Sequence, residues 1–324
     1  MPQNDFSGVL RVAFDDTFRS EFMRQLQFIF NMLAIVAMPC VSPLSHAQDK
    51  PTVPESISEK SMKGELEAVF NSWRKASLTK NAVDWLRVTS KSRQIDVKNE
   101  IISQKLEFPD ALFEVPFSAP SLENMQLLDI FTRRETSNSI YFGKADFRVG
   151  DPAQVKDNLI VLCYLKEEGR WRFDKLRIVK IPPESDIMGK LRLSDFSFLK
   201  GPEFQPPPQL PDLPQPVGRP DYIAEIWINS VGYETTIEVN GRETGTIVNA
   251  RAKELVIGGL NKGRNTVLVK TKKIENIKLG VPDRVEIAIY AVKSIQDKPV
   301  RVFHFLPDPT DIPEEKSLSF GVSH

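Results

Sequence analysis

A carboxylate within an apolar stretch is the first candidate for chemistry in this chain. Asp129 stands inside Leu-Leu-Asp-Ile-Phe at residues 127–131. Burial in such a strand would raise the pKa of Asp129 into the range in which a carboxylate works as a general base. A structural alternative is a cross-strand ion pair with Arg133, Arg148 or Arg177. On the residues alone, both interpretations stay open.

An aromatic cluster in the second half of the chain is the leading candidate for binding. Trp227, with Tyr222 and Tyr233, could form a platform on which the apolar face of a pyranose ring stacks. The alternative is a core or edge position, because Trp227 lies in an alternating stretch at 224–229. Polar residues near the predicted turns are further ligand-binding candidates by their location: Asn229, Arg242, Asn249 and Arg251.

The composition excludes several classes of function. The 324 residues carry 43 basic and 43 acidic side chains, so no net field would attract nucleic acid. Three histidines and two cysteines supply zinc sites and catalytic triads poorly. Neither a phosphate-binding glycine loop nor a metal-binding signature is present. We therefore predict no cofactor, no metal and no nucleic-acid partner, and we favour a protein that is not an enzyme.

Two smaller features are most simply explained by a structural role and not by a functional one. Cys163 is flanked by aliphatic residues and has no partner base, which indicates a small buried hydrophobic residue and not a nucleophile. The basic cluster at 270–273, with Lys278, is most simply a solvated face. Its sharper interpretation is binding of an anionic surface polymer.

The amino-terminal part has the layout of a secretory signal peptide over residues 23–47. Arg24 precedes an apolar run at 28–41 that is shorter than the ~20 residues of a membrane span, and small residues end at Ala47. The acidic stretch 1–22 would burden such a signal, so it is interpreted as a mis-assigned start. The prediction is a periplasmic or extracellular protein that does not span the membrane after cleavage; a buried helix or an uncleaved anchor is the alternative.

Helices followed by antiparallel strands are predicted for the first half, an α+β pattern. The spacing of apolar residues predicts a helix over 57–75 and one or two shorter helices over 82–104. Alternation then predicts four strands, at 125–134, 139–149, 159–166 and 171–181, the last two forming a hairpin.

Residues 58–182 resemble the nuclear transport factor 2-like superfamily. The resemblance is carried by Val69-Phe-Asn-Ser-Trp73, by the strand 159–165 and by Gly169-Arg-Trp-Arg-Phe173. It implies a curved sheet that wraps helices into a cone, often with a pocket in which an acid or a tyrosine acts as base or oxyanion donor. Asp129 would be that acid, and Tyr141 is the second catalytic candidate. Asp146, Cys163 and Tyr164 could line the same cavity.

A proline-rich stretch at 201–220 separates the two halves. It contains eight prolines in twenty residues, which favours an extended polyproline II segment. Such a segment is either a semi-rigid spacer or a strap along a surface. We interpret it as a linker between domains.

The second half reads as seven short strands, typical of an antiparallel sandwich. They are predicted at 222–229, 234–240, 244–249, 254–257, 265–271, 284–292 and 300–305. Residues 307–324 are interpreted as a polar tail. The stretch 221–306 is similar to galactose-binding-like domains, through Val239-Asn-Gly241 and through Leu260 and Gly263-Arg-Asn265. This resemblance implies a jelly-roll-like sandwich.

Three functional hypotheses follow from the sequence. The first is an exported, non-enzymatic protein of the cell envelope that binds a glycan or a partner protein through its sandwich. The second is an isomerase- or hydrolase-like pocket enzyme on the cone, with Asp129 as general base. The third is an envelope scaffold.

Overall fold

The computed structural model describes residues 57–114, 119–145, 147, 157–179, 186–275 and 283–323. The predicted signal peptide and the stretch before it lie outside these residues. The described chain divides into two compact units. The first unit contains residues 57–96 and 119–214, and the second contains 97–114 and 215–323. The second unit thus takes in a segment from within the predicted first domain.

Three helices of the first half agree with the prediction from periodicity, and a fourth, short helix was not predicted. They are α1 (Ile57–Leu78), α2 (Ala82–Val88), α3 (Lys91–Ser103) and a later short helix, α4 (Ile187–Arg192). Asn81 caps α2, because its side-chain oxygen accepts the backbone N–H of Asp84 at 3.0 Å. The division between the units falls within α3.

The first unit contains a four-stranded antiparallel sheet whose strands follow the chain order. Its strands are β1 (Met125–Arg133), β2 (Thr136–Lys144), β3 (Asp157–Glu167) and β4 (Arg170–Val179). The predicted hairpin between β3 and β4 is confirmed. It turns through Glu168 and Gly169, which both have positive φ.

A cluster of buried side chains packs on each face of this sheet. On one face, Phe70 of α1 packs in a cluster with Tyr164 and Phe173. On the other face, Leu199 and Phe204 pack over a cluster that includes Cys163. The prediction that Cys163 is a buried hydrophobic residue is confirmed, and burial raises the pKa of its thiol. We call these the helix face and the strap face.

The proline-rich segment is held along its length by side chains. In the first unit, Asn138 donates to the carbonyl of Phe204 at 3.0 Å and Thr136 donates to that of Pro207 at 2.6 Å. In the second unit, the Asn99 side chain donates to the carbonyl of Gln215 and accepts the N–H of Val217, both at 3.0 Å. Of the two alternatives, a strap fits these bonds and a free spacer does not.

Six strands form the sheet of the second unit. They are β5 (Ile223–Val239), β6 (Arg242–Leu255), β7 (Gly263–Lys273), β8 (Arg284–Val292), β9 (Val300–Phe305) and β10 (Glu315–Val322). The first four predicted strands merge into β5 and β6. The stretch interpreted as a polar tail contains β10, which pairs with β7.

The long strand β5 changes its partner at Gly232, so it belongs to two parts of a single connected sheet. Residues 223–231 pair with β8 and residues 233–239 pair with β7, while β6 follows the other edge of β5. Strands that bend in this way form the corners of sandwiches and barrels. The sheet curls until the Phe303 and Phe320 rings on β9 and β10 lie 5.1 Å apart. The sequence analysis predicted two strands in each of the stretches that form the continuous strands β5 and β6 in the structure.

Candidate functional site

The structure separates the two catalytic candidates. Asp129 lies at a β-bulge and pairs with Ile140, whose side chain belongs to the strap-face cluster. Tyr141 is the next residue along β2 and faces the helix cluster. Asp129 is exposed, and its carboxylate accepts the N–H of Ile130 at 2.7 Å. The catalytic interpretation rested on a buried carboxylate beside Tyr141, and the structure corrects both points.

The helix face holds phenols that have a packing role. Tyr141 is buried and donates to the Glu67 carboxylate on α1 at 2.9 Å. Tyr164 is also buried, and its hydroxyl has no hydrogen-bond partner among the described residues. Burial raises the pKa of Tyr141 and of Tyr164 far above the ordinary value. Both phenols therefore stay neutral. Asp146 lies outside the described residues.

Two of the predicted binding residues have structural roles. Arg242 donates to the carbonyls of Gln215 and Pro216, at 3.1 and 3.3 Å, and thereby fixes the strap. Asn249 has a positive φ and accepts the N–H of Gly232 at the bend of β5. The predicted aromatic platform is also corrected, because Tyr222 and Tyr233 are buried in the core of the second unit.

Trp227 has different neighbours from those predicted. Its side chain is partly exposed on the outer face of β5, and its register partners are Lys253 on β6 and Ala288 on β8. The Lys253 ammonium lies 4.0 Å from the centroid of the indole, a cation–π contact. The Tyr290 ring lies 5.2 Å away at 49°. The indole N–H donates to the buried carboxylate of Glu225.

Asn229 and Arg251 continue the same face. They are paired across β5 and β6, and Arg251 Nε donates to Asn229 Oδ1 at 3.3 Å. Each lies two residues from Trp227 or Lys253 on its strand, so all four side chains point to the same side. We call this surface, consisting of Trp227, Asn229, Arg251, Lys253 and Tyr290, the Trp227 face. Three of the five predicted binding residues meet there.

An ionic group borders the Trp227 face. Glu286 on β8 is the register partner of Asn229. Arg284 donates to its carboxylate at 2.8 Å, and His304 contacts the other oxygen at 3.1 Å. Burial acts to raise the pKa of Glu286, but the hydrogen bonds and charges of these two neighbours outweigh it and lower the pKa overall.

Lys253, Tyr290 and Glu225 were missed by the sequence analysis. Strand alternation could have found Lys253 and Glu225, because each lies two residues from a predicted candidate. Tyr290 becomes a neighbour only through the pairing of β8 with β5, which the sequence does not reveal.

The basic cluster at 270–273 is paired with acids. Lys270 contacts Glu238 at 2.7 Å and Lys273 contacts Asp283 at 2.8 Å. These pairs agree with a solvated face. Lys278 lies outside the described residues.

Comparison of the chain with family models, with curated proteins and with solved structures finds no match. Within the part of the chain that the structure describes, no group of His, Cys, Asp and Glu side chains is arranged to hold a metal ion. None of the described helices combines the length and the apolar character needed to cross a membrane.

Proposed function

We propose that this chain is an exported, non-enzymatic binding protein of the cell envelope, and that the Trp227 face binds a glycan. One observation carries the proposal. A partly exposed indole is held in place on a sheet, beside the amide of Asn229 and the guanidinium of Arg251.

This arrangement suits a sugar for physical reasons. The C–H face of a pyranose packs against an aromatic ring, and amide and guanidinium groups bond its hydroxyls. The buried Glu225 and the adjacent Tyr290 restrain the indole before any ligand arrives. Binding then loses little side-chain freedom, which favours affinity.

The sequence resemblances support the proposal. The similarity of residues 221–306 to galactose-binding-like domains favours a binding function for the second unit. The signal-peptide pattern at 23–47 favours a periplasmic or extracellular site of action. The likeness of 58–182 to the nuclear transport factor 2-like superfamily remains a prediction about the first unit.

The pocket-enzyme alternative loses its support, since Asp129 is exposed on the face opposite to Tyr141. The scaffold hypothesis has no observation that favours it. If the chain captured envelope proteins and bound no glycan, that result would favour the scaffold hypothesis.

Titration calorimetry with a panel of envelope oligosaccharides tests the proposal. We expect at least one glycan to bind the intact chain, and Trp227→Ala to weaken it by about tenfold or more, which corresponds to ~1.4 kcal/mol. Trp227→Phe retains an aromatic face and should keep part of the affinity. Equal binding by the wild type and Trp227→Ala, with both folded, would contradict the proposal.

A further inference from the structure

We infer that the Trp227 face holds a pyranose ring with equatorial substituents in a gap above Ala288, between Trp227 and His304. The inference rests on the proposed function and names the place and the shape of its ligand. It assigns a specificity-determining role to Ala288, which the sequence analysis did not single out.

Ala288 is a small residue on the outer face of β8. The residues on either side of it, Ile287 and Ile289, belong to the core of the second unit, so alternation points the Ala288 side chain outward. Ala288 is nevertheless only 8% exposed. An outward methyl group is covered to this extent when larger side chains rise around it. Ala288 therefore lies below the level of its neighbours on this face.

Strand pairing identifies two side chains that flank this low point. Ala288 is the register partner of Trp227 on β5 and of His304 on β9. Residues directly opposite each other in antiparallel strands have Cα atoms about 4.5–5.5 Å apart, so about 10 Å separates the Trp227 and His304 backbones across Ala288. An indole and an imidazole thus stand on either side of a single methyl group. We call the space between them the Ala288 gap.

Glu286 and Tyr290 border the Ala288 gap along β8. Each lies two residues from Ala288, and so on the same face of the sheet. The Glu286 carboxylate accepts from Arg284 at 2.8 Å and contacts His304 Nε2 at 3.1 Å, which restrains the imidazole before any ligand arrives. A carboxylate offers several acceptor sites, and a sugar hydroxyl in the gap can donate to it.

The width of the Ala288 gap favours a flat ring. Carbon contacts of 3.5–4.0 Å on both sides of a sugar ring take up about 7–8 Å of this width. A pyranose whose substituents are all equatorial presents C–H groups to both flanking rings. An axial hydroxyl would need extra width and would press a polar group against an aromatic face without a hydrogen bond. The gap therefore selects against sugars with axial hydroxyls.

A matched pair of probes tests the inference on the full chain by titration calorimetry. The first is cellotetraose, whose ring substituents are all equatorial, and the second is the mannose tetrasaccharide with the same linkage, which has an axial hydroxyl on each ring. We expect cellotetraose to bind about tenfold tighter or more, the effect of one unpaired polar group.

Variants at Ala288 test the gap itself. Ala288→Leu fills the gap and should weaken cellotetraose by about tenfold or more. Ala288→Ser adds only a hydroxyl and should keep most of the affinity. Ser317→Leu, at an exposed position of β10, is the matched control and should bind like the wild type. If Ala288→Leu does not fold, Ala288→Val and His304→Ala replace it, and each should weaken cellotetraose.

The outcomes separate this inference from the proposed function. Equal affinity for both probes, or unchanged binding of cellotetraose by a folded Ala288→Leu, overturns the Ala288 gap but leaves glycan binding intact if Trp227→Ala loses it. An equal loss in Ser317→Leu also overturns the gap. Binding of neither probe overturns the gap as well, and binding of no glycan at all overturns the proposed function too.

Discussion

Trp227 shows how one side chain acquires its role from its neighbours. Alternation along 224–229 allowed either a core or an edge position for this residue. The adjacent Ile226 and Ile228 fill the core, so the indole lies on the outer face with Lys253 and Tyr290. The side of the strand on which Trp227 lies could be predicted from its alternation with Ile226 and Ile228. Its neighbours Lys253 and Tyr290 depend on strand pairing, which the sequence does not reveal.

The two buried phenols of the first unit allow a matched test at the level of single atoms. Tyr141→Phe removes a hydrogen bond to Glu67 and should lower the free energy of unfolding by about 0.5–1.5 kcal/mol. Tyr164→Phe removes a hydroxyl that has no partner among the described residues and should be neutral or slightly stabilising. Urea denaturation of both variants checks the contrast. Equal destabilisation would show that the Tyr164 hydroxyl is satisfied.

Glu254 gives a pH-dependent prediction. Burial, and then the negative charge of Glu225, raise the pKa of Glu254 above its ordinary value. The folded state therefore binds the proton more tightly, and the contribution of this residue to stability is complete below about pH 4.3 and is lost as the pH rises through the folded pKa. Glu254→Gln should be more stable than the wild type at neutral pH.

The advantage of Glu254→Gln should shrink towards zero as the pH falls below the unfolded pKa. Denaturation curves collected from acidic to neutral pH measure it. Glu243→Gln, at an exposed position of the same strand, is the control. A difference between Glu254→Gln and the wild type that does not depend on pH would contradict the assignment.

Among the elements, β5 marks the limit of what the pattern predicted. The sequence analysis predicted two strands, at 222–229 and 234–240, with a break between them that contains Gly232. The chain instead continues through a bend, where Asn249 on β6 accepts the N–H of Gly232. That compensation comes from a residue 17 positions away in sequence. A local pattern cannot contain it, although the alternation on either side was interpreted correctly.

The turn before Leu260 permits a test of packing against backbone conformation. Gly259 has φ +56°, and an added Cβ would collide with the Tyr222 carbonyl and with Pro220. Gly241 has φ +74° but open space around it. Gly241→Ala should destabilise by about 1 kcal/mol from backbone strain alone, and Gly259→Ala by about 2–4 kcal/mol because the collision adds to the strain.

Thermal unfolding followed by circular dichroism measures this difference between the two glycine variants. Gly218→Ala, which has neither a positive φ nor a close neighbour, serves as the reference. Similar losses for Gly241→Ala and Gly259→Ala would mean that the chain near Pro220 yields to the added carbon.

The whole molecule is organised differently from the predicted domain boundaries. The second unit includes residues 97–114 and the strand β10, which both lie outside 221–306. Ser103 accepts the N–H of Gly258 at 2.7 Å, and β10 covers the edge of β7 over eight residue pairs. A fragment of residues 221–306 lacks both supports.

We therefore expect the isolated fragment 221–306 to lack a cooperative thermal transition and to aggregate through the uncovered edge of β7. The full chain provides the comparison under the same conditions. Circular dichroism and size-exclusion chromatography measure the outcome. A monomeric fragment that melts cooperatively would show that β10 and residues 97–114 are dispensable.

The sequence predicted the helices and strands of the first unit up to β4, because each depends on local periodicity, but it missed the short helix α4. It failed for Asp129, since a bulge at Leu128 decides which face that carboxylate occupies. It did not predict the strand β10 because this stretch has few apolar residues. Two of them, Leu318 and Phe320, pack against the core of the second unit, which a local pattern does not show. For the candidate site, alternation grouped Asn229 with Trp227, and only the pairing with β6 and β8 completed the face.

The most direct test of the account is the response of the four tryptophan indole N–H signals in nitrogen-15 correlation spectra to a bound oligosaccharide. Trp227→Phe assigns one signal by its disappearance. A glycan that binds the chain is expected to shift the Trp227 signal and to leave those of Trp73, Trp85 and Trp171 in place. A saturable shift at a tryptophan of the first unit, with Trp227 unmoved, would contradict it.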